Sequence, residues 1–285
     1  MADGNEVIER FGYRGQRVLV AGGGGAGMGA AAVTGLSALG AEVHVLDRKP
    51  PPVEVASHRT VDLADPDATA AAVGEIGGPL HALFNCAGLP GGKYADLDVM
   101  TVNFLAARHL AELASDLMFD GGAIATISSA AGVGWIANIA KWLPLVQTEG
   151  FAAGRQWCAD HPEAIAGGYA PSKEAIIVWT LHASYALAAR GIRINVIAPG
   201  PTDTPMMPDF EDQVGKEFMD NFPIPLGRRS TPEEQAAVLL FLNSRAASYV
   251  TGENIITDGG TVGAIMTGNI DPSILMPSGL GSTEG

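Results

Sequence analysis

The chain has 285 residues, 47% of them hydrophobic and 17% charged, with 37 glycines; this suits one large α/β domain and excludes a disordered or fibrous chain. A net charge of −14 gives an acidic surface that repels phosphate backbones and anionic membranes, so neither nucleic acid nor a membrane is an expected partner. Cys86 and Cys158 form no Cys-x-x-Cys pair, and His44, His58, His81, His109, His161 and His182 show no metal spacing, so no metal site is expected.

The N-terminus, Met1 to Arg10, carries acidic residues where a secretory signal carries basic ones, and no apolar core follows it, so a cytoplasmic location is expected. The first strand is predicted over Arg17–Ala21. Gly22-Gly-Gly-Gly-Ala-Gly-Met-Gly29 follows it and runs into an Ala-rich helix over 26–39. A second strand, Glu42–Leu46, ends at Asp47, and a third is predicted to end at Asp62 within Thr60-Val-Asp-Leu-Ala64. Beyond a helix over 66–76 come a strand at Leu80–Phe84, a helix over 99–118 and a strand at Ala123–Ile127. The apolar stretch from Gly121 to Ala140 is broken by Ser128, Ser129 and Asn138 and reads poorly as a membrane span. The segment 134–168 interrupts the alternation and holds Trp135, Trp142, Phe151 and Trp157; it is predicted to be a helical insert that packs on the domain, walls a substrate pocket, or both. A helix over 171–190, a strand at Ile192–Ile197, a helix over 232–243 and a strand at Asn254–Thr257 complete the pattern. A Gly/Met/Ser-rich tail, 261–285, is read as a loose end or an arm reaching another subunit.

Strands that alternate with helices specify right-handed βαβ units and a doubly wound parallel sheet with helices on both faces, a three-layer α/β/α Rossmann-type domain over 1–285. Ligands bind such sheets beyond the carboxyl ends of the strands. Read as Gly-x-x-x-Gly-x-Gly, the loop places Gly23, Gly27 and Gly29 where missing side chains allow a tight turn, backbone approach to a pyrophosphate and close helix–strand packing. Asp47 closes the second strand, where a carboxylate accepts both adenosine ribose hydroxyls and repels a 2′-phosphate, which favours NAD over NADP. Arg48-Lys49 beside it could bind such a phosphate or form a solvated turn. Asp62 is expected either at the adenine or capping the next helix, a task that Asp65 or Asp67 could take over.

Together with Asn85-Cys-Ala-Gly88, Asn103, Ile127-Ser-Ser129, Tyr169-x-x-x-Lys173, Asn195-x-Ile-Ala-Pro-Gly200, Thr204-Pro205 and Thr257-Asp-Gly-Gly260, these features resemble the short-chain dehydrogenase/reductase family from Arg17 to about Gly260. The resemblance implies a catalytic set of Asn103, Ser129, Tyr169 and Lys173. Tyr169 would be the acid/base, and Lys173 one helical turn on would lower its pKa and hold the nicotinamide ribose. Ser129 would donate to the substrate oxygen, with Ser128 supporting the loop, and the Asn103 carbonyl would extend a proton relay through water. It also implies cofactor contacts at Gly23, Gly27, Met28, Gly29, Asp47, Arg48, Asp62, Leu63, Cys86, Ala87, Gly88, Tyr169, Lys173, Pro199, Gly200, Thr202 and Thr204. The span Pro205 to Leu226 would be a substrate lid whose Met and Phe residues suit an apolar ligand.

A short Gly88–Asn103 interval and a long Ser129–Tyr169 interval are similar to the bacterial 3α-hydroxysteroid dehydrogenase/carbonyl reductase branch, which in turn resembles coniferyl-alcohol dehydrogenases. In that branch the insert obstructs a common helix-packing interface, which implies a homo-oligomer, dimer or tetramer, built through another surface. Gly22 in place of a Thr, Met28 in place of an Ile, and Cys86 depart from the family pattern. The expected activity is NAD-linked interconversion of a cyclic, steroid-like, terpenoid or aromatic alcohol and its carbonyl. The alternatives are an epimerase or dehydratase with tightly held NAD, and a non-catalytic dinucleotide-binding regulator.

Overall fold

The computed structural model describes residues 4–275. Seven strands, β1 (Arg17–Ala21), β2 (Glu42–Leu46), β3 (Ser57–Arg59), β4 (Leu80–Asn85), β5 (Met118–Ile127), β6 (Arg193–Pro199) and β7 (Asn254–Thr257), pair in parallel in the order β3-β2-β1-β4-β5-β6-β7. The order reverses between β1 and β4, which opens a crevice beyond their carboxyl ends. Alternate side chains of the strands enter different cores. Leu19, Leu83, Ile124 and Ile194 join one buried cluster, while Val18, Val20, Phe84, Ala125 and Ile197 join the other. Strands covered on both faces are mostly apolar, as at Val18–Ala21 of β1 and Ala82–Phe84 of β4, while β2 adds the buried His44.

The helices follow in chain order. A short α1 (Gly4–Glu9) precedes β1, α2 (Met28–Ala38) joins β1 to β2, and α3 (Pro66–Ile76) joins β3 to β4. From β4 to β5 the chain runs through α4 (Asp96–Met100), one π-helical turn (Thr101–Ala106) and α5 (Ala107–Asp116) without a break. Between β5 and β6 lie α6 (Trp135–Val146), α7 (Gly150–Asp160) and α8 (Tyr169–Leu187); between β6 and β7 lie α9 (Met207–Val214), α10 (Lys216–Asp220) and α11 (Pro232–Asn243); α12 (Thr261–Met266) follows β7. The single three-layer domain expected from the sequence is the one observed. The last ten residues of the predicted tail lie outside the described residues. Among those described, no helix is long and apolar enough to cross a membrane.

Several boundaries differ from the sequence reading. The third strand stops at Arg59, because only Ser57 to Arg59 find partners on β2, and Asp62 sits in the turn beyond. β5 begins at Met118, five residues before the apolar run; its register on β4 slips between Leu80 and Ala82, with Gly121 at φ +86°. Helix α8 begins at Tyr169 itself.

The insert docks through a buried charge. Arg108 of α5 has no exposed surface, and its guanidinium donates to the carbonyls of Leu145 at the end of α6 (3.4 Å), Thr148 in the turn that follows (3.2 Å) and Gly150 at the start of α7, and to Thr148 Oγ1 (3.0 Å). Trp142 of α6 is fully buried, tilted against Trp157 of α7. Removing the guanidinium strands several carbonyls, each at about 1–3 kcal/mol. Arg108→Ala is therefore expected to lower stability by about 2–5 kcal/mol in urea unfolding. It should speed amide exchange in α6 and α7 more than in β4 and β5; equal acceleration in all four would contradict this docking role.

Candidate active site

A cavity of about 500 Å³ lies in the crevice at the sheet reversal, floored by the glycine loop and walled by Leu46–Lys49, Val61–Ala64 and Cys86–Leu89. Each loop glycine has its own reason. Gly22 holds φ +74°, and a Cβ there would stand 2.5 Å from the Ala87 nitrogen. Gly23 lies under Val33, where a Cβ would come within 2.8 Å of Cγ2, so it sets how closely α2 rides on the sheet. Gly29 packs on the Gly22 carbonyl and on Cys86 Cβ. A Cβ on Gly27 would meet nothing within 4 Å, which leaves the backbone open towards the cavity.

Helix α2 starts at Gly27 with no side-chain cap, whereas Asp65 caps α3 and a Thr231–Glu234 capping box closes α11. Uncapped amides at a helix N-terminus, in a glycine cradle, are a fitting partner for a pyrophosphate. Asp47 lines the cavity with each carboxylate oxygen already accepting one amide, Oδ2 from Gly24 and Oδ1 from Lys49, both at 2.8 Å. A carboxylate has further lone pairs for hydroxyl donors, so the side chain is fixed in place and still able to accept. Arg48 and Lys49 also line the cavity, as do Met28, Asp62 and Leu63. The Asp62 carboxylate accepts from the Ala64 amide at 3.0 Å, and it is Asp65 that caps α3.

Cys86, Ala87 and Gly88 line the opposite wall; burial pushes the Cys86 thiol up to about 12. Asn103 sits in the π-helical turn. Its Oδ1 accepts from the Leu89 amide at 2.7 Å, and its Nδ2 donates to the Leu89 carbonyl at 3.0 Å and to Ser172 Oγ at 3.1 Å. These bonds tie the loop after β4 to α8. A Cβ on Gly88 would lie 3.4 Å from Asn103 Oδ1 and 3.7 Å from Lys173 Nζ, so the three meet at one point.

Lys173 is 4% exposed and donates to the Ile127 carbonyl at 3.1 Å; burial holds its ammonium down at about 8. Its Nζ lies 5.4 Å from the centre of the Tyr169 ring. Burial raises the Tyr169 phenol, and a hydrogen bond with Ser129 lowers it. Ser128 does support the loop, donating from Oγ to the Lys173 carbonyl at 2.8 Å. The structure thus brings Asn103, Ser129, Tyr169 and Lys173 to one place, beyond β4, β5 and the start of α8.

Of the residues after β6, Thr204 reaches the cavity together with Pro205 and Met206. Pro199 pairs with Thr257, Gly200 is packed on Asp258, and the Thr202 hydroxyl is engaged by the Gly200 carbonyl and Ser230 Oγ. The predicted lid forms α9 and α10. Phe210 of α9 lies edge-on to Tyr169 with ring centres 5.1 Å apart, and Lys93 binds Asp209 at 2.8 Å across the mouth. Arg229 ties Glu211 (3.0 Å) to Asp220 (3.1 Å). Phe210, which meets Tyr169 outside the cavity lining, was readable only as one apolar residue of a lid; Tyr94, Asp98, Thr101 and Val102, which line the cavity, carried no pattern in the sequence. Among the described residues, no three His, Cys, Asp or Glu side chains converge as metal ligands.

Residues 16–140 match the family model described as short chain dehydrogenase, and residues 158–262 match that described as Enoyl-(Acyl carrier protein) reductase. The coniferyl-alcohol dehydrogenase of Pseudomonas sp. (strain HR199 / DSM 7063) is 32% identical over 235 residues, covering 82% of this chain and 92% of that protein. Among solved structures, the 3-alpha-hydroxysteroid dehydrogenase from Pseudomonas sp. B-0831 complexed with NADH superposes with a TM-score of 0.75 at 27% identity, over 90% of this chain and all of that one. BdcA in complex with NADPH superposes with a TM-score of 0.63 at 27% identity, over 87% of this chain and 94% of its own. With the sheet order, the glycine cradle and these matches in agreement, the chain belongs to the short-chain dehydrogenase/reductase family, oxidoreductases of alcohols and carbonyls that bind a nicotinamide dinucleotide.

Proposed function

We propose that the protein interconverts a secondary, aryl or allylic alcohol and its carbonyl with NAD(H), using Tyr169 as the acid/base. The observation that carries this reading is the convergence of Ser129, Tyr169 and Lys173 beside the cavity whose rim holds Asp47. The dinucleotide, when bound, supplies the hydride donor or acceptor. Gly27 and Gly29 with the first amides of α2 would hold its pyrophosphate, and Asp47 would accept the adenosine ribose hydroxyls, whereas Gly23, packed under Val33 and outside the cavity lining, keeps α2 close to the sheet. The neighbouring complexes contain both NADH and NADPH, so the choice of NAD rests on the Asp47 carboxylate, which would repel a 2′-phosphate despite Arg48 and Lys49.

In oxidation Tyr169 Oη takes the hydroxyl proton, and in reduction it returns one to the carbonyl oxygen. A buried phenol favours its neutral form, so Tyr169 depends on nearby donors and positive charge to ionise. Ser129 donates to the same substrate oxygen and stabilises its developing charge. Lys173 orients the nicotinamide ribose and, while protonated, favours the phenolate. The Met206, Met207 and Phe210 side of the lid suits an apolar, cyclic or aromatic substrate, in keeping with the substrates named for the relatives. A cytoplasmic homo-oligomer, dimer or tetramer, completes the reading.

Tyr169→Phe is expected to lower kcat by about a thousandfold, read from nicotinamide absorbance on a panel of steroid, terpenoid and aryl alcohols, with NAD affinity little changed in calorimetry. Undiminished turnover on that panel would sink the reading. Asp47→Ser should weaken use of NAD and improve use of NADP, and a parent enzyme that turns over NADP alone would reverse the cofactor assignment.

Lys173 makes a separate prediction about stability. Burial lowers its pKa from 10.5 to about 8, so an ammonium is carried into the fold against its preference. The penalty is full below about pH 8, where folded and unfolded chains are both protonated. It shrinks as pH rises towards 10.5, because the folded lysine has shed its proton, and vanishes above that. Lys173→Met should therefore stabilise the dinucleotide-free protein by about 1–3 kcal/mol at neutral pH. The gain should fade between pH 8 and 10.5, as followed by thermal melts across that range; a destabilised variant at pH 7 would contradict it.

A further inference from the structure

We propose that Glu174 is a positioning residue that clamps the insert, and with it the Ser129 segment, onto the turn of α8 that carries Tyr169 and Lys173. The proposal rests on the reading of Ser129 and Tyr169 given above. Glu174 follows Lys173 directly and is 9% exposed. Its Oε2 accepts two hydrogen bonds from α6, from Trp142 Nε1 at 2.7 Å and from Asn138 Nδ2 at 2.8 Å. A Cβ on Gly134, at the start of α6, would stand 2.5 Å from Glu174 Oε1, so the helix begins against this carboxylate.

The chain between Ser129 and α6 is pressed on the same turn. A Cβ on Gly132 would lie 2.9 Å from the Lys173 carbonyl carbon and 3.1 Å from the Glu174 amide nitrogen, and Ser128 Oγ donates to the Lys173 carbonyl at 2.8 Å. Residues 128–134 are thus held at their first end by the Lys173 carbonyl and at their last by the Glu174 carboxylate, with Ser129 between. Loss of the carboxylate removes both of these hydrogen bonds from α6 to α8 and lets the 128–134 segment, with Ser129, move relative to the phenol while Arg108 still holds the far end of the helix. The Trp142 indole N–H, buried in the core, would be left without its acceptor.

The experiment follows Tyr169 itself, in the full-length protein saturated with NAD. The tyrosinate signal is titrated in the ultraviolet, with Tyr169→Phe as the blank. The groups beside this phenol are Ser129 at the end of β5, Lys173 on its own helix, and Phe210 of the lid, with Asp209 next to it held by Lys93. Ser129→Ala removes the hydrogen bond that favours the phenolate, so its titration midpoint moves up. Glu174→Ala is expected to move it in the same direction and to lower kcat by about 10- to 100-fold with KM for NAD unchanged. Glu174→Gln, whose amide oxygen can accept from both Trp142 and Asn138, is expected to behave as the parent. Should Glu174→Ala fold poorly, the pair Asn138→Ala and Trp142→Phe removes the donors instead and should shift the midpoint likewise. A parent-like midpoint in the variants lacking the clamp, with Ser129→Ala shifted, overturns the proposal and leaves the functional reading intact; so does a Glu174→Gln variant as impaired as Glu174→Ala. An unshifted Ser129→Ala removes the reading beneath the proposal, and the proposal with it.

Discussion

Where the sheet reverses its order, the turn after β1 and the turn after β4 touch backbone to backbone, Gly22 against Ala87. A methyl group at Gly22 would not fit, and its positive φ suits no other residue well. This contact sets the glycine loop against the strand ends, so that α2 starts at the cavity with its first amides free of any side-chain cap. It also draws Cys86 to Gly88 across the cavity, and Gly88 is the point on which Asn103 and Lys173 converge. The glycine-loop wall of the cavity and the Asn103–Lys173 cluster are therefore placed relative to each other by one close approach of main chain.

The rest of the site is organised by charges taken out of water. Arg108, Lys173 and Glu174 are all buried, and each is spent on a different task. Arg108 gathers carbonyls from the end of α6 to the start of α7, Glu174 receives two donors of α6, and Lys173 meets the Ile127 carbonyl at the end of β5. Buried ions without such partners would be expelled or neutralised. The arrangement gives the insert a defined seat, which apolar packing of Trp142 alone would specify less sharply.

Much of this was legible in the sequence because it depends on local pattern. Short apolar runs at Val18–Ala21 and Val43–Leu46 mark covered strands, and the glycine loop, Asp47 and the Tyr169–Lys173 spacing stand out by local pattern alone as the candidate site. What was not legible depends on contacts far apart in the chain. Gly22 looked like a departure from a family pattern until Ala87 was seen above it. β3 is short because β2 offers it few partners, and Asp62 looked like a strand end for want of that knowledge. The π-helical turn around Asn103 leaves no mark in composition. Glu174 reads as one more charge on a helix, since nothing nearby in sequence says that Asn138 and Trp142 will meet it.

The manner in which Arg108 holds the insert bears on how this chain can change. A guanidinium that grips main-chain carbonyls is indifferent to which side chains the gripped segment carries, apart from Thr148, whose hydroxyl joins in, and Gly150, whose φ of +76° favours glycine. Ile136 and Ile139, which face outwards from the start of the insert, can be exchanged without disturbing that grip. Mutation is thus free to rewrite the outer surface of the insert while its foundation stays in register, the condition under which a lineage can explore new ligands before losing its fold.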